Sequence, residues 1–143
     1  MELVSAAASV LALIEVTSKS TNYIYRFFQH FIDGPLEVQN HCASIKALQN
    51  NLMELQTLCS TTQLGTQQIT RLSHSVRQCL ADIQLAEQRI KQIDRDLTAE
   101  VVCRTWTKIK YGLMRGDPWL EKFFDRVKMW NDIFIYNLVL LQV

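Results

Sequence analysis

The sequence predicts an all-α fold, a bundle of about five amphipathic helices, and three observations carry that prediction. Apolar residues recur at three- and four-residue steps through most of the 143-residue chain, the period of a helix with one buried face. Only four Gly and two Pro are present, too few for the many tight turns of an all-β fold. The hydrophobic fraction is 48% against 20% charged, which supplies one core for a single domain over residues 1–143.

The first element begins near Leu3. Ala6, Ala7, Val10, Leu11, Leu13 and Ile14 make it apolar on nearly every side, the character of a helix at the centre of a bundle. Residues 3–16 would extend only about 21 Å as a helix, short of a ~30 Å hydrocarbon core. Glu2 and Glu15 bracket the run and no basic segment precedes it, so a buried helix is expected, with no stable membrane span and no signal peptide. The polar run Thr17-Ser18-Lys19-Ser20-Thr21-Asn22 reads as either a polar stretch or a break. Helical spacing resumes at Tyr23, Ile24, Phe27, Phe28, Phe31 and Ile32, and Asp33-Gly34-Pro35 stops it. Glu15 and Lys19 form an i,i+4 pair in the favourable order.

The second helix is expected from about residue 36 to 59, with Val38, Ile45, Leu48, Leu52, Leu55 and Cys59 on its seam. His41 holds the one seam position that is not apolar. A polar linker over residues 60–66 follows. The third helix carries the clearest pattern: Ile69, Leu72, Val76, Cys79, Ile83, Ala86, Ile90, Ile93 and Leu97 are consecutive a/d positions. It is expected to pair antiparallel with the second helix across the short linker.

A shorter fourth segment near residues 99–113 places Val102, Trp106, Ile109 and Leu113 on one face. Arg115-Gly116-Asp117-Pro118 then combines a helix stop with an N-cap Asp and a Pro at the first helical position. The last helix, about residues 119–141, has Leu120, Phe123, Val127, Trp130, Phe134 and Leu141 on its seam, interrupted by Asn137.

Charge and motifs exclude most chemistry. The net charge is +1, from 15 basic and 14 acidic residues, so no global field draws the chain to nucleic acid. The glycines are isolated and make no phosphate-binding loop. His30, His41 and His74 sit in no catalytic or metal-ligand motif. Cys42, Cys59, Cys79 and Cys103 include no C-x-x-C, and buried, reduced thiols of a cytoplasmic protein are expected. No cofactor, metal or nucleic-acid partner is expected.

Aromatics concentrate in two places. Tyr23, Tyr25, Phe27, Phe28 and Phe31 close the first helix, while Trp119, Phe123, Phe124, Trp130, Phe134 and Tyr136 lie on the last. If these helices pack together, most of the aromatic surface converges. Core packing is the default for such a stripe, and an apolar ligand pocket with a few polar groups is the alternative. The candidate ligand contacts are Tyr23, Phe27, His41, Trp130, Phe134 and Asn137. A polar group facing a core must find a partner or cost a few kcal/mol, which singles out His41, Asn131 and Asn137.

The opening Leu3-Val4-Ser5-Ala6-Ala7-Ala8-Ser9-Val10-Leu11-Ala12-Leu13-Ile14 resembles that of the fungal HeLo-like domains. That family is typified by the N-terminal domain of azaphilone pigment cluster protein L and by N-terminal domains of fungal STAND proteins. The resemblance continues through the aromatic stretch to Asp33, through Ile45-Lys46-Ala47-Leu48 with Leu52 and Leu55, through the Trp106 region, and to Leu138-Val139-Leu140-Leu141-Gln142. These are packing motifs, so no catalytic residue carries over. The family is poorer in aromatics near its last helix, which argues against a purely generic role here.

The resemblance implies a HeLo-like bundle and a place in secondary-metabolite clusters, with this chain a stand-alone copy. On that basis the expected function is to bind an apolar terpenoid or polyketide intermediate and steer its cyclisation, a cofactor-independent, Diels–Alder-type step. In type it is similar to the norbornene-forming Diels–Alderase of sordarin-type pathways. The alternative is a cell-death or signalling module that acts through its apolar first helix on membranes or partner proteins. A homodimer through the third helix is the third expectation.

Overall fold

The computed structural model describes residues 2–29, 36–99 and 119–142. Over those residues the chain is all-helical: α1 (Glu2–Gln29), α2 (Leu36–Thr61), α3 (Thr66–Ala99) and α4 (Trp119–Leu141). Among the described residues there are thus four helices. The fifth expected segment, residues 99–113, falls outside them apart from Ala99.

Residues 17–22 do not break α1, which is one helix from Glu2 to Gln29. The reason is local. Thr17 Oγ1 donates to the Leu13 carbonyl and Thr21 Oγ1 to the Thr17 carbonyl, each at 2.7 Å. Both threonines are fully buried, and bonding back to their own helix satisfies the hydroxyls without a partner from elsewhere. Lys19 stays outside and pairs with Glu15 at 3.3 Å.

α1 packs against α2 and α3, and α4 packs against α2 and more lightly against α3. The order around the bundle is therefore α1, α2, α4, α3. The expected antiparallel pairing of α2 with α3 is corrected by this arrangement: the two stand across the diagonal, with α1 between them. A helix that is apolar all round gains most when neighbours cover it on two sides. Asn131 of α4 meets Ser44 and Asn51 of α2, while Trp130 meets Asp82 and Trp119 meets Arg89 on α3. So α4 runs parallel to α2 and opposite to α3.

The heptad residues of α3 from Ile69 to Ile90 are all buried, as are Ile45, Leu48, Leu52 and Leu55 of α2. From α4 the core takes Leu120, Phe123, Phe124, Val127, Trp130, Phe134 and Leu138. The turn from α2 to α3 is held by a reciprocal cap. The Gly65 N–H donates to Gln68 Oε1 at 2.9 Å, and the Ile69 N–H donates to the Gly65 carbonyl at 3.0 Å. Leu64 and Ile69, both buried, flank this cap at the spacing of a hydrophobic staple.

Candidate functional site

The two ends of the bundle differ in chemistry. At one end, where α1 finishes and α4 begins, aromatic rings from three helices meet. Phe28 contacts Phe27 edge-on at 5.2 Å between centroids and Phe124 at 5.3 Å. His41 of α2 lies flat on Phe124, 3.6 Å between centroids and 3° from parallel. Cations cover the outer rings: Lys46 over Tyr25, Lys91 over Tyr23 and Arg89 over Trp119, all at 5.1–5.2 Å.

The sequence-predicted contacts are distributed along this layer and below it. Tyr23 is half-buried under Lys91, and Phe27 is buried. His41 is half-buried on its ring partner. Trp130 is buried and donates Nε1–H to Asp82 Oδ2 at 2.9 Å, an oxygen that also accepts from Arg126 Nε at 3.1 Å. Phe134 stacks on Trp130 at 5.8 Å and has no exposed surface. Asn137 donates Nδ2–H to the carbonyl of Ile133 on its own helix at 3.0 Å.

Asn131 has a different role. Its Oδ1 accepts from Asn51 Nδ2 at 3.0 Å while its Nδ2 donates to the Ser44 carbonyl at 3.1 Å. One amide thereby fixes the register of α4 on α2. Asn131→Ala leaves the half-buried Asn51 amide without this acceptor and is expected to lower stability by about 1–3 kcal/mol. Urea titration measures it, and no loss would show that water replaces the amide.

At the opposite end, the early half of α1 and the α2–α3 turn enclose a cleft of about 400 Å³. Ala7, Ala8, Val10, Leu11, Leu64 and Ile69 form its wall, and Cys59, Ser60, Thr62 and Gln63 its rim. The rim is held in place: Ser60 Oγ donates to the Gln56 carbonyl at 2.8 Å and the Thr62 N–H to the Leu58 carbonyl at 2.9 Å. Sequence reasoning missed this cleft, and the six predicted contacts are not among its lining. The signal that could have found it is the run Ala6-Ala7-Ala8, where small side chains leave space that leucines would fill.

Burial raises the thiol pKa of Cys42 and Cys59. Cys79 is pushed up furthest, by burial and then by the Asp82 carboxylate. The folded-state pKa is raised in each, so the associated stability is full below the ordinary value of 9.0 and is lost as pH rises above it. At neutral pH Cys79 is expected to resist iodoacetamide until the chain unfolds, while Cys42 and Cys59 label first. Mass spectrometry of the labelled native protein checks the order, and early labelling of Cys79 would contradict its burial. Cys103 and His30 lie outside the described residues.

Among the described residues no three His, Cys, Asp or Glu side chains form a group that could hold a metal ion. No described helix is long and apolar enough to cross a membrane. Fold and site together define a small helical-bundle domain with an apolar cleft at one end and a packed aromatic layer at the other. The chain belongs to the family described as pigment biosynthesis cluster protein PigL N-terminal, which it matches over residues 1–130. That agrees with the family resemblance of its opening and seam segments. No curated protein and no solved structure matches the chain.

Proposed function

We propose that the protein serves secondary metabolism by binding an apolar terpenoid or polyketide intermediate and steering its cyclisation. The observation that carries this is the cleft of about 400 Å³ with a wall of alanine, valine, leucine and isoleucine, within the usual size range of small-molecule sites. Membership of a pigment-cluster family supplies the metabolic setting. A Diels–Alder step converts three π bonds into one π and two σ bonds, with no proton, electron or leaving group exchanged. It needs no nucleophile and no titrating base. Holding diene and dienophile in reactive geometry can contribute several kcal/mol through orientation alone, and one hydrogen bond to an activating carbonyl adds to that. Thr62 and Gln63 offer neutral donors for such a bond.

Tyr23, Phe27, His41, Trp130, Phe134 and Asn137 are the alternative seat to the cleft, where a bound polyene would stack on the five rings and meet the Asn137 amide. Incubating purified protein with polyene precursors tests the function, and a rate and stereochemistry unchanged from buffer would sink it.

The rival is a module that acts on membranes by releasing α1, whose first half is apolar on nearly every side. Val10, Ile14, Ile24 and Phe28 of that helix are buried in the core, so release would disassemble the bundle. Leakage from liposomes, abolished by Leu11→Asp, would favour the rival over the cleft. For the homodimer through α3, sedimentation is the test; the exposed large apolar side chain described on that helix is Leu85.

A further inference from the structure

The longest stretches of the sequence without a charged residue are 3–14, 55–70 and 133–143. In the chain they are far apart, yet the fold brings them to one end. Residues 3–14 are the early half of α1, and 55–70 are the end of α2, the turn and the start of α3. The third stretch follows from the direction of α4. Its start is at the far end, with Phe124 on Phe28 and Trp119 under Arg89, and it runs back toward the beginning of α1 and α3. There it buries Leu138 and exposes Val139 and Leu140. Among the described residues, Asp82 binds Arg126 in the middle of the bundle and lysines cover tyrosines toward the aromatic end.

The cleft opens between the first two of these uncharged stretches. Arg71 is two residues past the buried Ile69 and is exposed, about 200° further round the helix. Glu15, a turn beyond Leu11, is bound to Lys19. Cys59 on the rim keeps its proton because burial raises its pKa, so it adds no negative charge at neutral pH. Among the lining side chains, what remains to meet a polar group is the Thr62 hydroxyl, the Gln63 amide and, as an acceptor only, the Ser60 oxygen.

The geometry points to a cleft that selects by charge, taking an uncharged skeleton with at most hydroxyl or carbonyl groups and rejecting the diphosphate or carboxylate of the same skeleton. This rests on the ligand-binding reading given above and names its substrate class. An ionised head group entering the cleft would lose hydration with no cation among the lining residues to replace it, and of the backbone N–H groups around the start of α3 the Gly65 N–H is already bound to Gln68. The reaction that supplies the ligand must therefore be one that removes the ionised group: loss of diphosphate, or release from a carrier as an aldehyde, alcohol or neutral ring.

Calorimetric titration with farnesol, farnesyl diphosphate and farnesoic acid compares one skeleton in three charge states. Farnesol is expected to bind about tenfold or more tighter than either anion. Ala8→Trp, placed on an exposed wall position, should abolish that binding. Thr62→Lys should raise affinity for the diphosphate about fivefold or more by supplying the missing cation at the rim. Equal binding of all three ligands, still blocked by Ala8→Trp, would overturn charge selection and leave the binding reading intact. If none of the three binds, the cleft is not a site for such skeletons and the proposed function falls with it. Binding untouched by both variants would place the ligand elsewhere and overturn the inference.

Discussion

Phe124→Ala is expected to lower the unfolding free energy by about 3–5 kcal/mol, the usual cost of removing a buried phenylalanine. Few residues join so much of the bundle. Phe124 is 2% exposed, lies under the His41 ring of α2, meets Phe28 of α1 edge-on, and packs on Phe123 beside it. Removing it leaves a cavity bounded by three helices, none of which can close the gap without losing its own seam contacts. Against a typical total of about 5–15 kcal/mol, such a loss would leave part of the population unfolded at physiological temperature. Phe124→Leu retains most of the volume and should cost less than about half as much. Urea denaturation followed by circular dichroism gives both values. A cost under about 1 kcal/mol for the alanine variant would mean that the aromatic layer is not packed as described.

The seam residues of α2, α3 and α4 were legible because a 3.6-residue period states directly which face is buried. The period does not state which neighbour covers that face. For this reason the burial of Ile69 through Ile90 could be read from spacing, whereas the diagonal placement of α2 and α3 could not. Thr17 and Thr21 show a second limit. A hydroxyl that bonds its own helix is indistinguishable, in sequence, from one that breaks it, so residues 17–22 read equally as helix or loop. Convergence of the aromatics was legible too, and Phe28 on Phe124 realises it. Whether such rings line a pocket or fill a core is not encoded in their spacing, because both need large apolar side chains at the same positions. The cleft was harder still. It consists of side-chain volume that is missing beside Ala7 and Ala8, and its far wall comes from a turn more than fifty residues away.

Ala8→Trp is expected to slow the proposed cyclisation by about 100-fold while changing stability by less than about 0.5 kcal/mol, because Ala8 is exposed and fills no part of the core. The separation of the two effects is what makes the variant informative. A catalyst that works by shape loses its advantage when the reacting ends can no longer be held together, and a displacement of about 1 Å is enough to do this. An indole added to the wall at Ala8 would displace any ligand in the cleft much further. Phe134→Leu provides the opposite contrast: it perturbs a fully buried ring stacked on Trp130, so it should weaken the fold by about 1 kcal/mol or more and leave the rate of the folded fraction unchanged. Turnover and product stereochemistry, measured beside urea midpoints for both variants, distinguish the seats. If Phe134→Leu slows the reaction and Ala8→Trp does not, the ligand lies among the aromatic rings and the cleft has no part in the chemistry.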